Sequence, residues 1–128
     1  MAGDQAIVVD ASAVAAVVFN EPDAEAVLGQ IGDRRLIAPS LLPYELGNVF
    51  VVKTRRYPDL EKELGEAFSL FDMLDIELVE LPCEEPAKLA LEADLTAYDA
   101  AYLWLARRLG VALVTLDRKL GAAAGEMG

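Results

Sequence analysis

Short, mainly apolar runs alternate along this chain with longer stretches whose apolar positions recur at helical spacing. Residues 6–10, ending in Ile7-Val8-Val9-Asp10, read as a buried strand. Ser12 is placed to cap a short following helix, which breaks at Asn20-Glu21-Pro22. Pro22 suits the first position of a second helix running to about Ile31. Arg35-Leu36-Ile37-Ala38 is a second strand, stopped by Pro39. From Leu41 to Arg56, Leu42, Leu46, Val49, Phe50 and Val52 favour one helical face. Tyr57-Pro58-Asp59 then turns the chain into a helix over 59–73, with Leu60, Leu64, Ala67, Phe68 and Phe71 inward. Ile76 to Leu81 alternates as a third strand before Pro82, and Glu84 to Ala93 is helical. A last helix starts at Thr96 and ends at Gly110, a C-cap, and Val111 to Thr115 is the fourth strand.

Strands alternating with helices imply parallel pairing, hence an α/β fold: a three-layer α/β/α sandwich with a mainly parallel central sheet. The chain has 128 residues and neither linker nor repeat, so one domain spanning 1–128 is expected. The small-residue tail, Gly121 to Gly128, reads as loosely ordered.

That layout gathers four acids. Asp10 ends the first strand and Asp117 closely follows the last. Glu45 and Asp99 fall in the first turns of helices, just after Ser40 and Thr96. In an open parallel sheet, strand C-termini and the following helix N-termini share the edge where ligands bind. Carboxylates 4 Å apart repel by about 1 kcal/mol in water and about 4 kcal/mol at an effective dielectric near 20. A hard divalent cation relieves that repulsion, and oxygen-only ligands select magnesium or manganese. Ser12, Asn48 (one turn after Glu45) and Thr115 are candidates to hold these carboxylates from behind.

Each acid has a structural alternative. Thr96-Ala97-Tyr98-Asp99 matches a capping box with Asp in place of Glu, and a first-turn Glu45 is ordinary on dipole grounds. Asp10 is harder to explain this way, because a carboxylate straight after Ile-Val-Val loses water and needs partners. Asp94 lies near the same edge as an accessory candidate, whereas Glu21, Asp23, Glu61, Glu63, Asp72 and Glu84-Glu85 read as solvated helix surface.

Composition narrows the chemistry. There is no histidine, which excludes zinc hydrolases, Ser-His-Asp triads and histidine bases, so any chemistry must use carboxylates, hydroxyls, Lys and Arg. Cys83 is alone, so no internal disulfide forms, and a reduced cytoplasmic location is expected. No apolar stretch reaches the ~20 residues of a membrane span, and Met1-Ala2-Gly3-Asp4 lacks the basic start of a signal peptide. The net charge of −11 opposes a simple nucleic-acid glove. Screening within about 8 Å nevertheless makes local basic clusters matter more than the total. Most of those clusters read as solvated; Arg118-Lys119 stands out by directly following Asp117.

Four segments together resemble the PIN-domain ribonucleases, specifically the VapC toxin type of toxin–antitoxin modules. They are Val8-Val9-Asp10-Ala11-Ser12-Ala13, Pro39 to Asn48, Leu95 to Tyr102, and Leu113 to Leu120, in the family's order. The resemblance implies that Asp10, Glu45, Asp99 and Asp117 form the catalytic acidic quartet and bind Mg2+ or Mn2+. It also implies an RNA substrate, an inhibitory antitoxin with a basic segment, and a homodimer. Val51, Leu70, Phe71 and Met73 are candidates for an exposed apolar patch. Relatives of this type usually carry a further strand after the last acidic motif, where this chain has its small-residue tail. Two other readings compete. A non-catalytic PIN-like binding module would normally have lost quartet acids. A magnesium-dependent phosphotransfer or phosphatase domain would want an aspartate where Ser12 stands.

Overall fold

The computed structural model describes residues 5–125. Four parallel strands form its sheet in the order β3-β2-β1-β4: β1 (Ala6–Val9), β2 (Arg35–Pro39), β3 (Ile76–Val79) and β4 (Leu113–Val114). Register places Val8 opposite Ile37 on one side and Leu113 on the other. β1 is an interior strand paired on both sides, and its Ile7, Val8 and Val9 are all buried. Seven α-helices among the described residues connect and cover the strands. They are α1 (Ala11–Val18), α2 (Ala24–Ile31), α3 (Leu42–Arg56), α4 (Glu61–Ser69), α5 (Glu84–Ala93), α6 (Ala97–Leu109) and α7 (Arg118–Gly125). α1 packs on α2 and α3, and α3 on α4; α5 and α7 pack on α6, which lies against β1 and β2. This is the expected three-layer α/β/α sandwich.

The path of the chain creates the important crevice. From β1 it steps outward to β2 and β3, then crosses back to lay β4 on the other side of β1. Strand order thus reverses between β1 and β4, and ligands of open α/β sheets bind outside the strand ends at such a point.

Local chemistry explains the ends of α1 and α6. α1 starts because the Asp10 side chain accepts from Ala13 N, so Asp10 and not Ser12 is its cap. Asn20 sits at φ 51 and closes α1, but α2 begins at Ala24 rather than Pro22. Thr96 caps α6 by accepting from Asp99 N, which is the first half of the expected capping box. Gly110, at φ 67, ends α6 with its N–H on the carbonyls of Ala106 and Arg107.

Other boundaries differ from the sequence expectation. β3 stops at Val79 and β4 covers only Leu113–Val114. Both are edge strands, so only one neighbour sustains their ladders. The stretch over 59–73 is α4 flanked by 3₁₀ turns at Pro58–Leu60 and Leu70–Met73, and Leu60 faces solvent at 46% exposure. Residues 121–125 of the tail are helical, not loose. Asp117 Oδ1 accepts from Leu120 N and starts α7, whose Leu120 is fully buried and whose Ala123 and Ala124 pack on the core. Residues 126–128 of that tail lie outside the described residues.

Candidate active site

The crevice between β1 and β4 is organised around Asp10, the one buried charged side chain among the described residues, at 4% exposure. Its Oδ1 accepts from Ser12 Oγ at 2.7 Å and Ala13 N at 3.0 Å, and its Oδ2 from Thr115 Oγ1 at 2.5 Å. The two hydroxyls are themselves held. Ser12 Oγ accepts from Leu116 N at 2.9 Å, and Thr115 Oγ1 accepts from Asp117 N at 3.0 Å. Two short relays therefore run from the β4–α7 turn through one hydroxyl each onto opposite oxygens of one carboxylate. They fix Asp10 and also hold the turn that presents Asp117. Each hydroxyl donates once and accepts once, so neither relay leaves an orphan.

Glu45 approaches from α3 and is gripped from α6, where Tyr102 Oη donates to Glu45 Oε1 at 2.6 Å. Tyr102 is itself buried, and burial together with the neighbouring carboxylates pushes its hydroxyl pKa far upward. It therefore remains a donor. Sequence reasoning gave it no role, although it lies one turn after Asp99 on the face that carries that acid. Asn48 does not take this part: it is exposed, and no hydrogen bond joins it to Glu45.

The electrostatics tie the four acids together. Asp10 is raised from its ordinary pKa chiefly by burial, against the lowering effect of Thr115, Ala13 and Ser12, with Asp117 adding repulsion. Glu45 is raised chiefly by burial, offset by Tyr102 and reinforced by Asp99 and Asp10. Asp99, half-buried, is raised by burial and then by Asp117 and Asp10. Four segments of sequence thus bring their carboxylates together on one sheet edge, each within Coulombic reach of at least two others. A larger cavity, about 530 Å³, opens near Gln5, Gln30 and Arg34 at the opposite edge and holds none of these acids.

The four do not close into a ready-made cage: no three acidic side chains among the described residues are grouped tightly enough to enclose an ion. Asp10, Glu45 and Asp117 are each turned onto donors of the chain itself. The donor set still fits magnesium or manganese, being all oxygen and electrostatically strained without a cation. Magnesium commonly keeps several waters and takes only one or two carboxylates directly, so a closed cage is not required. Asp94 stays outside the set. Its carboxylate is exposed and pairs with Lys119 Nζ at 3.0 Å, a surface pair that also occupies one of the two basic residues after Asp117.

The model of the PIN domain family matches residues 7–126, which includes all four acids. The chain belongs to the PIN-domain family. Among its relatives, Ribonuclease VapC3 of Pyrobaculum aerophilum is 34% identical over 119 residues, 89% of this chain and 91% of that one. Exonuclease VapC9 of the same organism is 33% identical over 81 residues, 60% of this chain and 58% of that protein. The solved structure of PAE2754 from P. aerophilum superposes with a TM-score of 0.65 at 27% identity, covering 93% of this chain and 86% of that chain. VapC20 of Mycobacterium tuberculosis, a sarcin-ricin loop cleaving toxin, shares the fold at a TM-score of 0.62 and 18% identity, over 91% and 94% of the two chains. The VapC type expected from the four sequence segments is the type that the relatives VapC3 and VapC9 carry by name.

Replacing Tyr102 by Phe removes the donor to Glu45 while keeping the buried ring. If Glu45 helps hold a metal, losing the partner behind its carboxylate should weaken metal affinity or activity by about 10–100-fold. The Glu45 pKa should rise further, since the lost bond was lowering it. Manganese titration of Tyr102→Phe checks this; unchanged affinity and activity would remove Glu45 and its tyrosine from the functional set.

Proposed function

We propose that this PIN-domain protein is a metal-dependent endoribonuclease of the VapC type, with Asp10, Glu45, Asp99 and Asp117 as its catalytic and metal-holding residues. The observation that carries the reading is the doubly braced Asp10 at the strand-order reversal, with three further acids repelling one another around it. Without a cation the cluster carries a mutual repulsion that neutral caps would avoid. A divalent cation bound there supplies a water of lowered pKa and neutralises charge developing on the phosphodiester in the transition state.

The chain's own groups do the rest. Asp10 stays in one orientation because three donors hold it, so it offers a preorganised negative edge. Glu45 keeps Oε2 free to orient water while Tyr102 holds Oε1. Asp99 and Asp117 border the crevice from α6 and the β4–α7 turn. Asp117 caps α7 with one oxygen and has the other to offer. One PIN-like nuclease domain across 1–128 and a cytoplasmic setting complete the proposal. No helix among the described residues is long and apolar enough to cross a membrane.

Two partners belong to it. A cognate antitoxin would place an arginine-bearing segment against the acidic edge, as bidentate pairing favours. A second copy of the chain would cover an apolar face near α3 and α4. The exposed residues there are Val52, Tyr57, Leu60, Leu70 and Met73, whereas Val51 and Phe71 are half-buried. Light scattering over a hundredfold dilution tests the second copy; a monomeric mass throughout rejects it.

The activity is tested with a circular RNA and manganese, with and without chelator. Linearisation that needs metal is expected, and it separates internal cleavage from trimming of ends. An intact circle beside degraded linear RNA would reassign the enzyme as an exonuclease. No cleavage of either would favour a binding module. Metal affinity should also fall as pH drops toward the raised pKa values of Asp10, Glu45 and Asp99, because protons compete for the same oxygens. Calorimetry in buffers of different ionisation enthalpy should show proton release on binding manganese. No such linkage between about pH 5 and 7 would argue against a convergent cluster.

A further inference from the structure

An apolar groove of about 200 Å³ opens on the same edge as the four acids. Its walls include Pro39 at the end of β2, Leu41 just before α3, Leu81 and Pro82 after β3, Pro86 in α5 and Tyr98 in α6. No residue lining it carries a charge. Two of its lining residues neighbour the acids in sequence: Leu41 leads into the helix of Glu45, and Tyr98 directly precedes Asp99. Tyr98 is 65% exposed, an aromatic ring left largely in water at the rim of the groove.

We propose that this groove is a base-binding subsite, seating one unstacked nucleobase of the RNA with Tyr98 as its stacking platform. The proposal rests on the ribonuclease reading above. Charge decides the occupant. An edge that carries four acids repels phosphate except where a cation intervenes, while a base is the neutral, planar part of a nucleotide. An uncharged cleft with an aromatic rim suits that part. The groove is smaller than the roughly 300–1,000 Å³ of sites for drug-sized ligands, which matches one ring system rather than a longer segment. A stacked base would anchor the strand one residue from Asp99 and hold a neighbouring phosphodiester over the acids. Tyr98 is thus a positioning residue, and the groove biases which nucleotide lies next to the cut.

The test uses the Asp10→Asn protein, which should hold RNA without cutting it, and short single-stranded RNA carrying 2-aminopurine. Stacking quenches this base, so quenching is expected with Asp10→Asn. It should persist in the Asp10→Asn/Tyr98→Trp double variant and be lost in Asp10→Asn/Tyr98→Ala, with binding about tenfold weaker, on the scale of one lost stacking partner. Cys83, an exposed free thiol lining the groove, reports independently: bound RNA should slow its alkylation. In the otherwise unaltered enzyme, Tyr98→Ala should raise KM more than it lowers kcat and flatten base preference at the cut. RNA cleavage with quenching, Cys83 protection and base preference all unaffected by Tyr98→Ala overturns the subsite and leaves the nuclease standing. Tyr98-dependent quenching in a protein that never cleaves RNA does the reverse.

Discussion

Replacing Asp10 by Asn should abolish most RNA cleavage, by roughly 10²-fold or more, the scale of removing one preorganised stabiliser of transition-state charge. The fold should survive. Asn keeps an oxygen for Ser12 and Ala13 N, and its amide faces Thr115, whose hydroxyl can rotate to accept. Stability should increase at neutral pH without metal, and the sign follows from proton linkage. The Asp10 pKa is raised in the folded state, so across the window from its ordinary 3.8 upward the folded protein binds more protons than the unfolded one. Stability therefore falls as pH rises through that window, and the full penalty remains above it. Asn carries no such penalty. Denaturant unfolding of both proteins at pH 7 with chelator, beside a cleavage assay with manganese, checks both halves. Wild-type cleavage by Asp10→Asn would sink the mechanism; a marked loss of stability would mean that Asp10 is chiefly structural.

The second large effect is on folding. Leu46→Ala should cost about 2–5 kcal/mol, the range for deleting a fully buried leucine. Leu46 has no solvent exposure and sits in the main core cluster immediately after Glu45, on the helix that carries that acid toward Tyr102. The cavity should also loosen Glu45, so manganese affinity should drop with stability. A cost below about 1 kcal/mol would show that the core collapses around the gap, and that α3 does not depend on this contact for its placement. Equilibrium denaturation measures the first effect and metal titration the second.

Much of this architecture was legible because the signals are local. Ile7-Val8-Val9 can be buried only from both faces, which marks β1 as an inner strand. Thr96 and Gly110 bracket α6 through bonds that span a single turn. Misreadings arose where a residue's partner is distant. Ser12 looks like a cap from its neighbours, but its hydroxyl is committed to Asp10 and to Leu116 N, 104 residues away. The small-residue tail looks loose because alanine and glycine offer little surface to bury. Asp117 nevertheless caps it and Leu120 anchors it, which makes 118–125 a helix.

The sequence by itself determined the composition of the candidate site: four acids at the ends of apolar runs and no histidine, hence an oxygen-only donor set of the kind a hard cation takes. Those facts need only period, spacing and residue type. Tertiary structure alone decided how the acids are held. The Thr115 hydroxyl reaches Asp10 across the β1–β4 pairing, Tyr102 rather than Asn48 grips Glu45, and the uncharged groove forms where β2, α3, α5 and α6 meet. The physical reason is that each of these joins elements remote in sequence through one directional bond or one shared cavity. Local periodicity carries no information about such a contact until the sheet order has been set.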